Sequence, residues 1–120
     1  MDLHKYPTFA PVVPHPLTND CIPITLEFGA HHVLDPKTYD VVTMSKELSE
    51  TDGADVVFDC AGVPASIETA CRAVKARGTV VNMAIWEREI HFQPNMLVFK
   101  EARLAAVLGY QREDFQALTN

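Results

Sequence analysis

The 120-residue sequence has no run of basic residues and no alternation of aromatics with Arg or Lys. Its ten Lys and Arg stand against sixteen Asp and Glu, a formal net charge of -6, which argues against nucleic acid as a partner. Cysteine is scarce too: Cys21, Cys60 and Cys71 are odd in number and widely spaced, so they predict free thiols rather than a disulfide framework. Apolar stretches such as Val80 to Trp86 fall far short of the ~20 residues that span a bilayer. The first residues lack the basic start, apolar stretch and small-residue cleavage site of a secretory signal, so the expected location is cytoplasmic.

What is present is a globular composition, 48% hydrophobic and 22% charged, at a length that suits one domain and leaves no room for two. Five of the eight prolines (Pro7, Pro11, Pro14, Pro16 and Pro23) lie in the first twenty-five residues. Each fixes φ, removes a donor and turns its predecessor away from helix. Residues 1–25 are therefore expected to be an irregular, disordered leader, and 26–120 the folded part.

From Leu26 onward strand-like and helix-like runs alternate at the spacing of βαβ units. His32–Leu34 reads as a short strand. Asp40 opens a helix whose Val41, Met44 and Leu48 form one apolar stripe, and Asp52–Gly53 stops it. Ala54–Cys60, dominated by Val56, Val57 and Phe58, reads as a parallel strand covered on both faces. Gly62 and Pro64 lead into a helix with Ile67, Ala70, Cys71 and Val74 on one face, ending before Gly78. Further strands are expected at Thr79–Ile85 and Leu104–Leu108, an extended stretch at Ile90–Phe92, a turn at Gln93–Asn95, and the start of a helix at Glu113.

Three runs carry a resemblance: Glu27 to Pro36, Gly53 to Gly62 and Ala76 to Asn82. In order and spacing they resemble the cofactor domain of zinc-dependent medium-chain alcohol dehydrogenases. Pro94 to Glu101 and Val107 to Tyr110 are similar to the 2,3-butanediol and polyol dehydrogenase branch, and the resemblance covers residues 26–120. It implies an α/β fold: a partial Rossmann-type parallel sheet lacking its first two strands. It also implies a cofactor, NAD or NADP, with Cys60, Ala61 and Gly62 near its riboses, Met83, Ala84 and Ile85 near the nicotinamide, and Ala106 and Leu108 facing it. Ligands of open α/β sheets sit beyond the carboxyl ends of strands, where small residues allow close backbone approach.

The family's Gly-x-Gly-x-x-Gly turn has no counterpart, since none of the five glycines lies two residues from another. Its zinc-ligating catalytic domain has none either. His31 and His32, adjacent on a strand, point to opposite faces and do not chelate one ion. Cys60 and Cys71 lack the spacing of a structural zinc site, and Asp59 is expected to satisfy nearby backbone donors rather than act as a base. No catalytic or metal-ligating residue is nominated.

In the family's strand order 3-2-1-4-5-6, His32–Leu34 would be third and Val56–Cys60 fourth, with the two missing strands between them. That predicts a gap with unpaired backbone and bare apolar faces. The resulting expectation is part of an NAD(P)-dependent oxidoreductase of secondary alcohols or vicinal diols, inactive as these 120 residues. The alternative is a non-catalytic module that pairs with a full-length dehydrogenase subunit. Leu104–Leu108 resembles the edge through which the family dimerises, so a homo-oligomer or pairing with a homologous subunit is the expected partnership.

Overall fold

The computed structural model describes residues 9–11 and 21–119. Strand β1 (Phe9–Pro11) pairs in parallel with β2 (His32–Leu34). Helix α1 (Cys21–Glu27) lies between them in sequence. Most of the stretch expected to be irregular, residues 1–25, lies outside the described residues; β1 and the first part of α1 fall within it, and α1 runs across residue 25. Pro23 is compatible with it because it stands in the first turn, where the missing N–H would have no helical acceptor.

Helix α2 (Val41–Ser49) starts where the Asp40 side chain accepts hydrogen bonds from the backbone N–H groups of Val42 and Thr43. It ends at Glu50 in the left-handed conformation. Gly53 follows with φ +150°, and a Cβ there would stand 2.3 Å from the Ala73 carbonyl oxygen, so the backbones of two elements meet at a point only glycine fits.

The main sheet has the order β3-β4-β5 and is parallel throughout: β3 (Ala54–Asp59), β4 (Val74–Asn82) and β5 (Arg103–Ala106). Helix α3 (Pro64–Ala73) connects β3 to β4. Ser66 closes its first turn, donating to the Val63 carbonyl and accepting from the Val63 N–H. The short helix α4 (Asn95–Val98) lies on the crossover to β5, and α5 (Arg112–Thr119) follows, with Tyr110 stacked on Phe115. The core cluster joins Ala54 and Val57 of β3, Ile67, Ala70, Cys71 and Ala73 of α3, and Val74 and Val80 of β4, with Trp86, Ile90, Phe92, Met96 and Leu97 packed against it.

Several boundaries differ from the sequence reading. The α3 helix ends at Ala73, and Val74 is already extended. The carbonyl groups of Cys71, Arg72 and Val74 all accept from the ammonium of Lys100, at 3.1, 2.7 and 2.7 Å, so a distant cation stops the helix. Strand β4 ends at Asn82 rather than Ile85, because the Asn82 side chain accepts from the Ala84 N–H and from Trp86 Nε1 and turns the chain. Strand β3 is covered on one face only: Val57 is buried, whereas Val56 and Phe58 are exposed.

The expected gap is present among the described residues, where β2 and β3 belong to separate sheets. No helix of the described residues is long and apolar enough to cross a membrane.

Candidate functional site

The three strands of the main sheet end level. Asp59 pairs with Asn82 and Asn82 with Ala106, so one row of residues marks the carboxyl edge of the sheet. The chain beyond each strand is held to its neighbour: the Met83 N–H donates to the Asp59 carbonyl at 2.8 Å, and the Val107 N–H to the Asn82 carbonyl at 3.1 Å. This follows from parallel pairing, whose crossovers return every strand in the same direction.

Most of the residues singled out from the sequence meet at this edge. Cys60 follows β3 and Met83 follows β4, their sulfur atoms 4.0 Å apart. Ala61 donates its N–H to Asp59 Oδ1 at 3.2 Å. Gly62, at φ +65°, lies against the next strand's exit, and a Cβ there would stand 3.0 Å from the Ala84 Cβ and 3.2 Å from the Ile85 carbonyl oxygen. Six of the eight candidates, Cys60 to Gly62 and Met83 to Ile85, thus form one patch in which a missing side chain sets the spacing. Ala106 joins it through the Asn82 rung, while Leu108 projects into solvent at the margin, 84% exposed.

Met83 and Ile85 are exposed apolar side chains on this rim. Small residues, Ala61, Gly62 and Ala84, lie beside them in the same rim. The groups that fix it, Asn82 and Trp86, were not singled out from the sequence. The sequence signal was an asparagine ending an apolar strand with a tryptophan four residues on.

Beside this patch lies a cleft of about 570 Å³ between β3, the start of α2 and the face of α3. Asp59 borders it and is 3% exposed. Its Oδ1 is satisfied by Ala61, but Oδ2 has no hydrogen-bond partner. The expectation that Asp59 serves nearby backbone donors accounts for one oxygen and not the other.

A zinc ion finds no donor set here: among the described residues no three His, Cys, Asp or Glu side chains come together. Cys71 is fully buried in the core, and burial pushes its thiol above the ordinary range. A dinucleotide fits in part. The level strand ends with the close approach at Gly62 are the part that suits it, and the sequence has no glycine-rich turn for a pyrophosphate.

Comparison with known proteins places this geometry. Residues 19–120 match the zinc-binding dehydrogenase family. The chain is 36% identical over 94 residues to an (R,R)-butanediol dehydrogenase of Bacillus subtilis, covering 77% of this chain and 26% of that protein. It is 35% identical over 66 residues to the (R,R)-butanediol dehydrogenase of Saccharomyces cerevisiae, covering 54% of this chain and 17% of the relative. Among solved structures, the 2R,3R-butanediol dehydrogenase of Bacillus subtilis superposes with a TM-score of 0.76 at 30% identity, over 86% of this chain and 29% of that one. A zinc-binding dehydrogenase of Sinorhizobium meliloti bound to NADP superposes with a TM-score of 0.65 at 29% identity, over 74% of this chain and 27% of that one. The chain thus spans between 17% and 29% of the length of these relatives. By its sequence and by the parallel sheet with its level strand ends, the chain belongs to the zinc-binding dehydrogenase family.

Proposed function

We propose that this chain supplies the nicotinamide side of a cofactor-binding sheet in an NAD(P)-dependent oxidoreductase acting on secondary alcohols or vicinal diols. The observation that carries the reading is the convergence of Cys60–Gly62 with Met83–Ile85 at the level ends of β3 and β4. When bound, the nicotinamide accepts or gives the hydride. The chain's own residues bind and orient: Ala61 and Gly62 leave room for a ribose against bare backbone, while Met83 and Ile85 cover the ring and exclude water. Ala106 extends the same floor from β5. Among the described residues no three His, Cys, Asp or Glu side chains come together to hold a zinc, and the 120 residues alone are expected to bind the nucleotide weakly and not to turn over an alcohol.

The test is a graft. Residues 54–108 replace the matching segment of the Bacillus subtilis butanediol dehydrogenase, and the chimera is assayed for cofactor-linked oxidation of (R,R)-butanediol. Retained turnover with a KM for cofactor within about tenfold of the parent, roughly 1.4 kcal/mol, supports the reading. A folded chimera that binds no nicotinamide nucleotide overturns it. Titrating the 120-residue chain with NADH should shift the amide resonances of Cys60–Gly62 and Met83–Ile85 before any others.

A further inference from the structure

The strand-end rim carries two sulfur atoms whose donor chemistry the cofactor reading does not use. Cys60 Sγ donates to Met83 Sδ across 4.0 Å, a weak thiol-to-thioether hydrogen bond between the exits of adjacent strands. Both residues are exposed. Each is anchored on both sides. Before Cys60, the Asp59 carbonyl accepts from the Met83 N–H at 2.8 Å, and after it the Ala61 N–H donates to Asp59 Oδ1 at 3.2 Å. Before Met83, Asn82 pairs with Asp59 in the ladder, and after it the Ala84 N–H donates to Asn82 Oδ1 at 3.3 Å. The two stems leave the sheet at a spacing set by β3 and β4 themselves, so a ligand shared by the sulfurs has little backbone left to order.

A pair of sulfurs selects its ligand. Thiolate and thioether are soft donors, which suit Cu⁺ and leave hard cations to oxygen. Among the described residues no three His, Cys, Asp or Glu side chains come together, so a divalent ion of the zinc type has no complete donor set at this rim. Charge points the same way: one thiolate neutralises a monovalent ion and leaves a divalent one with a charge uncompensated. An ion at the usual metal–thiolate length of about 2.3 Å from each sulfur bridges atoms 4.0 Å apart with a bent angle of about 120° at the ion. That angle is trigonal and leaves a third position for water.

We propose that Cys60 and Met83 form a two-sulfur site for a soft monovalent cation, Cu⁺. The ion takes the place of the thiol proton: the Sγ–H bond breaks, the proton passes to solvent, the Cys60 thiolate and a lone pair of Met83 Sδ bind the ion, and no electron is transferred. The bound ion clips the exit of β3 to the exit of β4. It also occupies the rim assigned to the nicotinamide, so ion and nucleotide exclude each other; this consequence rests on the cofactor reading, whereas the site does not.

The probe is Cu⁺ supplied without oxygen as its bicinchoninate complex to the Cys21→Ser form of the 120-residue chain, which keeps Cys60 and the buried Cys71 as its thiols. The expected result is one ion per monomeric chain, release of one proton, a shift of the Met83 ε-methyl resonance and protection of Cys60 from iodoacetamide. Met83→Leu keeps apolar bulk at an exposed position and should weaken binding at least tenfold, while the alkylation rate of Cys60 without metal stays unchanged. Cys60→Ser should weaken it at least a hundredfold, and Zn²⁺ should leave the Met83 methyl resonance in place. The proposal is overturned if bicinchoninate gives up no Cu⁺, if affinity is indifferent to Met83→Leu, if binding survives Cys60→Ser, or if two chains share one ion. Titration with NADH separates the two readings: a metal-free chain whose rim amides do not shift counts against the cofactor reading alone, and shifts that persist with Cu⁺ bound overturn the exclusion.

Discussion

Lys100 shows how one side chain can define an element far from it in sequence. Its ammonium donates to three carbonyl groups, of Cys71 and Arg72 at the end of α3 and of Val74 just beyond it, and desolvation lowers its pKa below the usual lysine value. Lys100→Met should leave those carbonyls short of a donor and cost about 1–2 kcal/mol in urea unfolding, with the loss concentrated in α3 amide protection. Two carboxyl groups contribute to the acid limb. The Thr43 N–H and hydroxyl lower the pKa of Asp40, and the Ala76 N–H lowers that of Asp52. A carboxyl group whose folded pKa lies below its unfolded value stabilises the fold fully above about 3.8 and loses that contribution as pH falls through the folded value. Asp40→Asn, which keeps an acceptor at the cap, should therefore narrow the difference in urea midpoint between pH 5 and pH 3. The thiols separate by burial: Cys60 is exposed and Cys71 is not. Iodoacetamide followed by peptide mapping should label Cys60 in the native chain and Cys71 only after unfolding.

Among the elements, the α3 crossover and the turn before β3 bear the closest backbone contacts. Gly53→Ala should destabilise by roughly 2–4 kcal/mol, because its methyl group meets the Ala73 carbonyl and neither backbone can yield without moving α3 or β3. Equilibrium urea unfolding measures this, and a loss under 1 kcal/mol would show that the turn relaxes. Elements of this kind were legible where local chemistry decides them: Asp40 with its apolar stripe, Pro64 at the start of a helix, and Val56–Phe58 as a strand. Their ends were not, because distant groups set them. The stop of α3 depends on Lys100, twenty-nine residues after Cys71, and the stop of β4 depends on Trp86 reaching back to Asn82. The candidate site was legible from family resemblance rather than from pattern, since alanines, glycines and methionines at strand ends carry no chemical signature of their own. The unpartnered oxygen of Asp59 was invisible from sequence, as burial of a single atom is a property of the packed state.

At the scale of the whole molecule, the described residues form two ladders that share no rung: β1 with β2, and β3 with β4 and β5. The second holds the core, and Cys71, Val74 and Val80 in it have no exposure at all. The two should therefore part company under mild denaturant. Native-state hydrogen exchange should show His32–Leu34 opening at a lower free energy than Val80–Asn82, and a single shared opening energy would contradict this. Every rung of the larger ladder between Val56 and Ala106 joins residues 23 or 24 apart in the chain. Closing a loop of that length costs about 3 kcal/mol by the logarithmic length term, so the two crossovers face nearly equal entropic barriers. The order of assembly then falls to burial. The β3–α3–β4 unit contains the sealed residues, whereas every residue of β5 stays exposed. Pulse labelling during refolding should accordingly find β4 protected before Arg103–Ala106, which makes β5 the last strand to join and the first to leave.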